Sequence, residues 1–395
     1  MRRSPLPLQS FRLKNFKAVR DSGIVKFTPL TVFIGNNGSG KSSLIEGLET
    51  FQSIVSDGLD RAMEPWRGFE HIWNQANSHQ LRSSPNVREH HTNPMRFELR
   101  GYNRGGNFHT CSEVNIGPGG SEIFISQEEH SDGSGFYPAR MVRDAKGDVR
   151  ITTSSDKNAV LEDWTVLDSG VSLLRSDFIG SDGWQFLSLV PHGMGDPMPQ
   201  KRTGGTIRLA KDGSNVAEYL LSIRKIDPAV VDGIVETLQY VLPYARDVQP
   251  ALTSELERTV YLQMTEGNFK LPGWLLSTGT LRILALLAVL RHPSPPSLLV
   301  IEEIENGLDP RTIHLIVEEI RNAVESGKTQ IILTTHSPYL LDLLTLSQIV
   351  VVERDENGSP VFTRPGDDKA LQEWTQKFAP GRLYTMGKLN RKQPE

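Results

Sequence analysis

Leu30 to Glu46 reads LTVFIGNNGSGKSSLIE, and this stretch decides the fold. Gly35 is followed after four residues by Gly40, Lys41 and Ser42, the P-loop spacing. In it, backbone N–H groups cradle phosphate oxygens, the lysine reaches the outer phosphates and the hydroxyl holds Mg²⁺. The candidate phosphate-binding residues are Gly35, Asn36, Asn37, Gly38, Ser39, Gly40, Lys41, Ser42 and Ser43, with Ser42 also a metal ligand. Leu30, Val32, Phe33 and Ile34 supply a buried strand before the loop. Leu44, Ile45 and Leu48 follow at helical spacing, which sets the loop at a helix N-terminus, where the dipole favours anions.

Composition narrows the class further. A chain of 395 residues is long enough for two or three folding units. The net charge of -4 argues neither for nor against nucleic acid, since only a local basic face would matter. A single cysteine, Cys111, excludes an internal disulfide and suits a reducing compartment. The start MRRSPLPLQS has no apolar core of the secretory kind. The run Leu281 to Leu290, interrupted only by Arg282, is too short to span a bilayer. A cytoplasmic protein without a membrane segment is expected.

Working outward, Phe11 to Phe16 and Gly23 to Phe27 alternate like a hairpin, with a turn at Asp21 to Gly23, and the P-loop helix should run to about Val55. Five of the ten histidines lie between His71 and His109, including His79, His90 and His91, but their spacing fits no metal motif. Short β-like runs from Met95 to Thr153, separated by glycine-rich turns at 117–120 and 132–135, have the texture of an antiparallel meander. Pro191 to Gly213, with Lys201, Arg202, Arg208 and Lys211, reads as a long connection or a mobile loop. Asn215 to Leu242 is helical and broken at Pro228, and Arg258 to Met264 alternates as a strand before a turn at 266–268. There is no repeat, heptad array or low-complexity block. The division this suggests is an N-terminal lobe with the P-loop at 1–57, an inserted region with an antiparallel β subdomain and a long loop at 58–214, and a C-terminal lobe at 215–395. The fold class is α/β.

Three stretches in the last part carry chemistry. In LSTGTLRILALLAVLR (276–291), Ser277 is a natural N-cap and Gly279 leaves room for another group to approach. In SLLVIEEIENGLDP (297–310) a four-residue apolar strand ends in Glu302 and Glu303, at the sheet edge where ligands of open α/β sheets bind. A P-loop enzyme needs one carboxylate on Mg²⁺ and a group to orient or deprotonate water. Glu302 and Glu303 suit those two tasks. Asp309 and Pro310 fit the N-cap and first turn of the next helix, for which capping alone is a sufficient local reason. After the buried strand Gln330 to Thr334, His336 stands at the strand tip as a candidate γ-phosphate sensor.

Taken in order, GNNGSGKS, LSTG, the apolar run with two glutamates, NGLDP and TTHS resemble the ABC-type ATPases of the RecF, SMC and OLD (overcoming lysogenization defect) group. WLLSTGTLRILALLAVL, VIEEIENGLDP, IILTTHSPYLLD and LQEWTQKFAPGRLYTMGKL look like the bacterial ATPases classed as AAA_21. The resemblance covers 8–56 and about 215–389. It implies a homodimer in which two heads sandwich two ATPs, with larger assemblies left open. Each P-loop then faces Ser277 and Gly279 of the other chain, Asp309 belongs to the same nucleotide site, Glu303 and His336 are catalytic, and Mg²⁺ lies on Ser42 and Glu302. Two departures stand out: Glu302 replaces the usual aspartate and Ile304 a frequent proline. The glutamine loop has no clear counterpart; Gln52 and Gln75 are candidates.

The function implied is an ATP-driven dimeric switch acting on DNA or controlling a nuclease, in antiphage defence. OLD proteins carry a TOPRIM nuclease domain after the head. The stretch after His336, about 60 residues, is too short for one, so a nuclease or other effector is expected in trans. The alternatives are a repair clamp of the RecF or SMC kind that binds DNA through Arg12, Lys14, Lys17 and Arg20, and, from another class, the nucleotide-binding subunit of a transporter. The missing LSGGQ sequence, with Thr280 where transporters carry glutamine, counts against the last.

Overall fold

The computed structural model describes residues 6–74, 93–103, 106–116, 122–132, 139–143, 149–153, 170, 172, 174, 176–201, 205–253 and 258–389. Gln75, His79, His90, His91, Arg202 and the turns at 117–120 and 133–135 lie outside the described residues. Two compact units are present. One comprises Met1–Trp184, Val350–Asp367 and Asn390–Glu395; the other comprises Gln185–Ile349 and Asp368–Leu389.

The first unit opens with β1 (Leu8–Phe16), β2 (Val19–Asp21), β3 (Val25–Lys26) and β4 (Leu30–Ile34). Along β1, Leu8, Phe11, Leu13 and Phe16 are buried, so one face meets the core. All five residues of β4 are buried, the polar Thr31 among them, as in a strand covered on both faces. The expected hairpin is tighter than its sequence suggested. β1 pairs with β2 through Phe16 and Val19, made possible by positive φ at Asn15 (56°) and Lys17 (48°). The bend at Asp21 to Gly23 is a second turn, closed by Gly23 N–H donating to Asp21 Oδ1 at 2.9 Å, and it delivers β3 to the same β1.

The meander consists of β5 (Met95–Asn103), β6 (Gly106–Ile116), β7 (Ile123–Asp132), β8 (Ala139–Arg143) and β9 (Val149–Thr153). Its sheet runs in the order β2-β1-β5-β6-β7-β8-β9, antiparallel at each described pairing from β1 to β9. The helix Lys41–Asp57 packs on it through Phe51 against Phe97 (ring centroids 5.9 Å apart). Gly47 lets β1 come close: a Cβ there would lie 2.4 Å from Leu13 Cδ2.

The second unit begins the run of β10 (Trp184–Leu187), β11 (Met198–Pro199), β12 (Ala245–Leu252), β13 (Thr259–Glu266), β14 (Phe269–Pro272), β15 (Leu298–Ile301) and β16 (Gln330–Thr335). The segment expected as a plain connection contributes β11, which pairs antiparallel with β13. Helices Val216–Ile226 and Pro228–Val241 meet at Asp227, which caps the second by accepting from Ala229 N–H. Helix Thr278–Leu290 is buried at every position from Thr280 on, as an all-round apolar helix must be. β10, β15 and β16 lie side by side in that order, and β15 and β16 are parallel with Ile301 opposite Leu333. That register delivers Glu302, Glu303, Thr334, Thr335 and His336 to one edge. The chain then returns to the first unit as β17 (Ile349–Arg354) and β18 (Pro360–Thr363), an antiparallel pair with order β4-β17-β18.

Candidate nucleotide site

The P-loop is built entirely within the first unit. Gly35 follows the last residue of β4, and a Cβ there would lie 2.2 Å from the Val352 carbonyl oxygen of β17. Gly40 has φ 111°, and a Cβ there would also strike Pro360 of β18 at 2.3 Å. Arg354 holds the loop from outside: its Nε donates to Gly38 O at 2.7 Å and its Nη1 to Gly358 O at 2.6 Å. Lys41 is 6% exposed and its ammonium donates to Gly35 O (2.7 Å) and Asn36 O (3.1 Å), curled over the loop it would serve. Asn36, Asn37 and Gly38 are exposed at the rim with Ser42, Ser43 is half-buried, and Ser39 is buried with its hydroxyl lacking a hydrogen-bond partner.

The helix Lys41–Asp57 has no side-chain cap and no acidic residue in its first turn. Its first N–H groups and positive dipole end are therefore offered to an anion. The helices beginning at Thr278, Pro310 and Pro338 are by contrast capped by their own Ser277, Asp309 and Ser337. Uncapped N–H groups, a buried lysine and an orphaned hydroxyl fit a nucleotide polyphosphate, and the exposed Ser42 fits its accompanying Mg²⁺.

Ser277, Gly279, Glu302, Glu303, Asp309 and His336 belong to the second unit. Ser277 Oγ accepts from Thr280 N–H at 3.1 Å and lies 2.7 Å from Thr280 Oγ1. The close approach foreseen at Gly279 is made by Gly307: a Cβ on Gly279 would lie 2.7 Å from its carbonyl oxygen. Asp309 accepts from the Thr312 hydroxyl (2.6 Å) and from Arg311 and Thr312 N–H, and the hydroxyl is the main cause holding its carboxyl below the usual range. Glu302 is half-buried and its N–H donates to Leu187 O at 2.9 Å.

Glu303 is exposed and has φ 46°, a left-handed backbone on a residue that is not glycine. Its N–H donates to Thr334 Oγ1 at 2.8 Å, and its carbonyl accepts from Arg282 Nη2 at 2.9 Å. Its carboxylate accepts from Asn306 Nδ2 at 2.5 Å and comes within 3.9 Å of His336 Nε2. The His336 N–H in turn donates to Glu305 Oε1. Glu303 and His336, 33 positions apart in sequence, thus face each other at the tips of neighbouring strands. The left-handed backbone costs about 1–2 kcal/mol, against about 0.4–1 kcal/mol of extra unfolded-state entropy for a glycine. Glu303→Gly is accordingly expected to exceed Glu303→Ala in stability by about 0.5–1 kcal/mol in chemical unfolding; an alanine variant equal or superior would remove the claim of strain.

Sequence reasoning passed over Arg282, Thr334, Glu305, Asn306 and Arg354. The signal for Arg282 was present, since it is the one charge in the buried run Leu281 to Leu290. Gln52 Nε2 donates to the carbonyls of Ser181 (2.7 Å) and Trp184 (3.3 Å). The hairpin cations are largely neutralised: Arg12 and Lys14 pair with Asp21, and Lys17 with Glu46 at 2.6 Å. Partial burial works against the Asp21 carboxylate, yet Arg12, the Gly23 N–H and Lys14 outweigh it and bring its pKa to about 2.

The fold is that of a P-loop ATPase head of the ABC type. The chain belongs to the AAA_21 family, described as "AAA domain, putative AbiEii toxin, Type IV TA system", whose model matches residues 30–342. Among solved structures, an SMC head bound to the C-terminal winged-helix domain of ScpA is similar with a TM-score of 0.55 at 14% identity, over 90% of this chain and 96% of that one. An SMC head with an extended coiled coil, bound to the C-terminal domain of ScpA derived from Pyrococcus furiosus, gives 0.55 at 12% identity, over 94% and 100%. No curated protein matches the sequence. Among the described residues no helix is long and apolar enough to cross a membrane.

Proposed function

We propose that the protein is an ATP-binding and ATP-hydrolysing dimeric switch, and the observation that carries this is Glu303 facing His336 on a strained, doubly tethered backbone. Lys41 and the loop N–H groups bind the β- and γ-phosphates, and Glu303 orients the attacking water and accepts its proton. His336 donates to the γ-phosphate. Ser42 and Glu302 would hold Mg²⁺, which would supply charge neutralisation on the phosphates when bound. Ser277 and Gly279 complete the phosphate cage of a second copy, with Asp309 at the same junction, so ATP joins two heads and hydrolysis parts them.

The output is control of a nuclease or other effector supplied in trans, in antiphage defence. The toxin and antitoxin wording of the family description supports a partner-coupled role of this kind. The paired state of Arg12, Lys14 and Lys17 weighs against the hairpin as a DNA face.

Complementation tests the shared sites. Ser277→Arg is expected to bind ATP normally but neither dimerise on it nor hydrolyse it. Mixed with Lys41→Ala, it forms heterodimers in which one composite site carries both defects and the other neither. Recovered ATPase activity supports the trans arrangement, and its absence in a heterodimer verified by mass rejects independent composite sites.

A further inference from the structure

Helix Thr278–Leu290 buries a guanidinium in an otherwise apolar stretch: Arg282 is 3% exposed. Desolvating such a group costs several kcal/mol unless its donors are well used. Arg282 spends two donors on backbone carbonyls, Leu189 O at 2.7 Å and Glu303 O at 2.9 Å, while its Nε is buried without a hydrogen-bond partner. Burial lowers its pKa, and the nearby Glu303 and Glu305 push the other way. An aliphatic residue would fill the same space at lower cost. What the arginine adds is a directional tie to the carbonyl of residue 303.

The opposite end of that residue is tied too. Thr334 is 1% exposed on β16, and its hydroxyl accepts the Glu303 N–H at 2.8 Å. A left-handed conformation on a non-glycine residue persists only where its surroundings over-determine it. Here they do so from a helix on one side and a strand on the other. With both peptide groups fixed, the direction of the Cα–Cβ bond is fixed, and with it the approach of the carboxylate to His336.

We infer that Arg282 and Thr334 are positioning residues for hydrolysis, which clamp the two peptide groups of Glu303 and so hold its carboxylate on the attacking water without touching nucleotide. The inference rests on the reading of Glu303 as the general base. A misplacement of about 1 Å at a reacting group can cost about 100-fold in rate, so the clamp acts on kcat and leaves the nucleotide affinity to the P-loop.

Thr334→Val keeps the buried shape and removes the acceptor. It is expected to lower kcat about 10- to 100-fold, with KM for ATP and the Kd of a non-hydrolysable analogue within about twofold of wild type. Thr334→Ser, which keeps the hydroxyl, should restore the rate. Arg282→Lys should behave as Thr334→Val does, in milder form. In a Glu303→Gln background the Thr334→Val change should alter the residual rate by less than about twofold, because it acts through the removed carboxylate. If Thr334→Val hydrolyses ATP at the wild-type rate, or slows the Glu303→Gln protein by the same factor as wild type, the clamp is overturned while the base assignment stands. A wild-type rate in Glu303→Gln itself overturns both. Because the threonine variants preserve packing, the result does not depend on whether an Arg282 variant folds.

Discussion

Lys41→Ala is expected to raise the Kd for ATP by about 100-fold or more, measured by calorimetry or with a fluorescent analogue, and to leave no measurable hydrolysis. Hydrogen bonds to charged groups contribute about 1.5–3 kcal/mol each, and the lysine is the one side-chain cation in the loop sequence 35–43. Its ammonium already sits over Gly35 O and Asn36 O, so it need only swing from the loop carbonyls to the phosphates. The backbone N–H groups at the start of helix Lys41–Asp57 remain after the substitution and retain some affinity for polyphosphate. A variant that binds ATP as wild type does would mean that the loop, though correctly formed, is not the nucleotide site.

Glu303→Gln should leave ATP binding intact and reduce kcat by about 10²- to 10⁴-fold, the range ascribed to a positioned general base. The amide is nearly the same size as the carboxylate, and both backbone ties to Thr334 and Arg282 are untouched. Only the capacity to take a proton is lost. If ATP joins two heads, the variant should elute and scatter as a dimer in ATP and as a smaller species in ADP. Hydrolysis at the wild-type rate would assign the base elsewhere.

Much of this was legible in the residues. The strand, loop and helix at Leu30 to Asp57 announced themselves by an apolar run, a glycine spacing and a 3.6-residue period. Ser277, Asp309 and Ser337 cap the helices they precede, because a side-chain oxygen before a helix has few other tasks. The placement of Glu302, Glu303 and His336 just beyond strand ends was foreseen from the buried strands before them. The register that pairs Ile301 with Leu333 could not be foreseen, because parallel register is set by long-range packing. The left-handed backbone at Lys17 and Glu303 was equally hidden, since nothing in their side chains favours it and only the surrounding fold imposes it. Arg282 was visible but misjudged as an interruption, when its donors serve a carbonyl 21 residues away.

The glycines of the P-loop answer to different masters. Gly38, with φ 74° and open space where a Cβ would stand, is constrained by its backbone angle alone, which an asparagine could also meet. Gly35 is held to glycine by the carbonyl of Val352 whether or not a phosphate ever arrives. A descendant that had abandoned nucleotide would keep Gly35 to preserve its sheet, while Lys41 drifted. In this lineage, then, a surviving glycine at position 35 testifies to architecture, and only the lysine testifies to use.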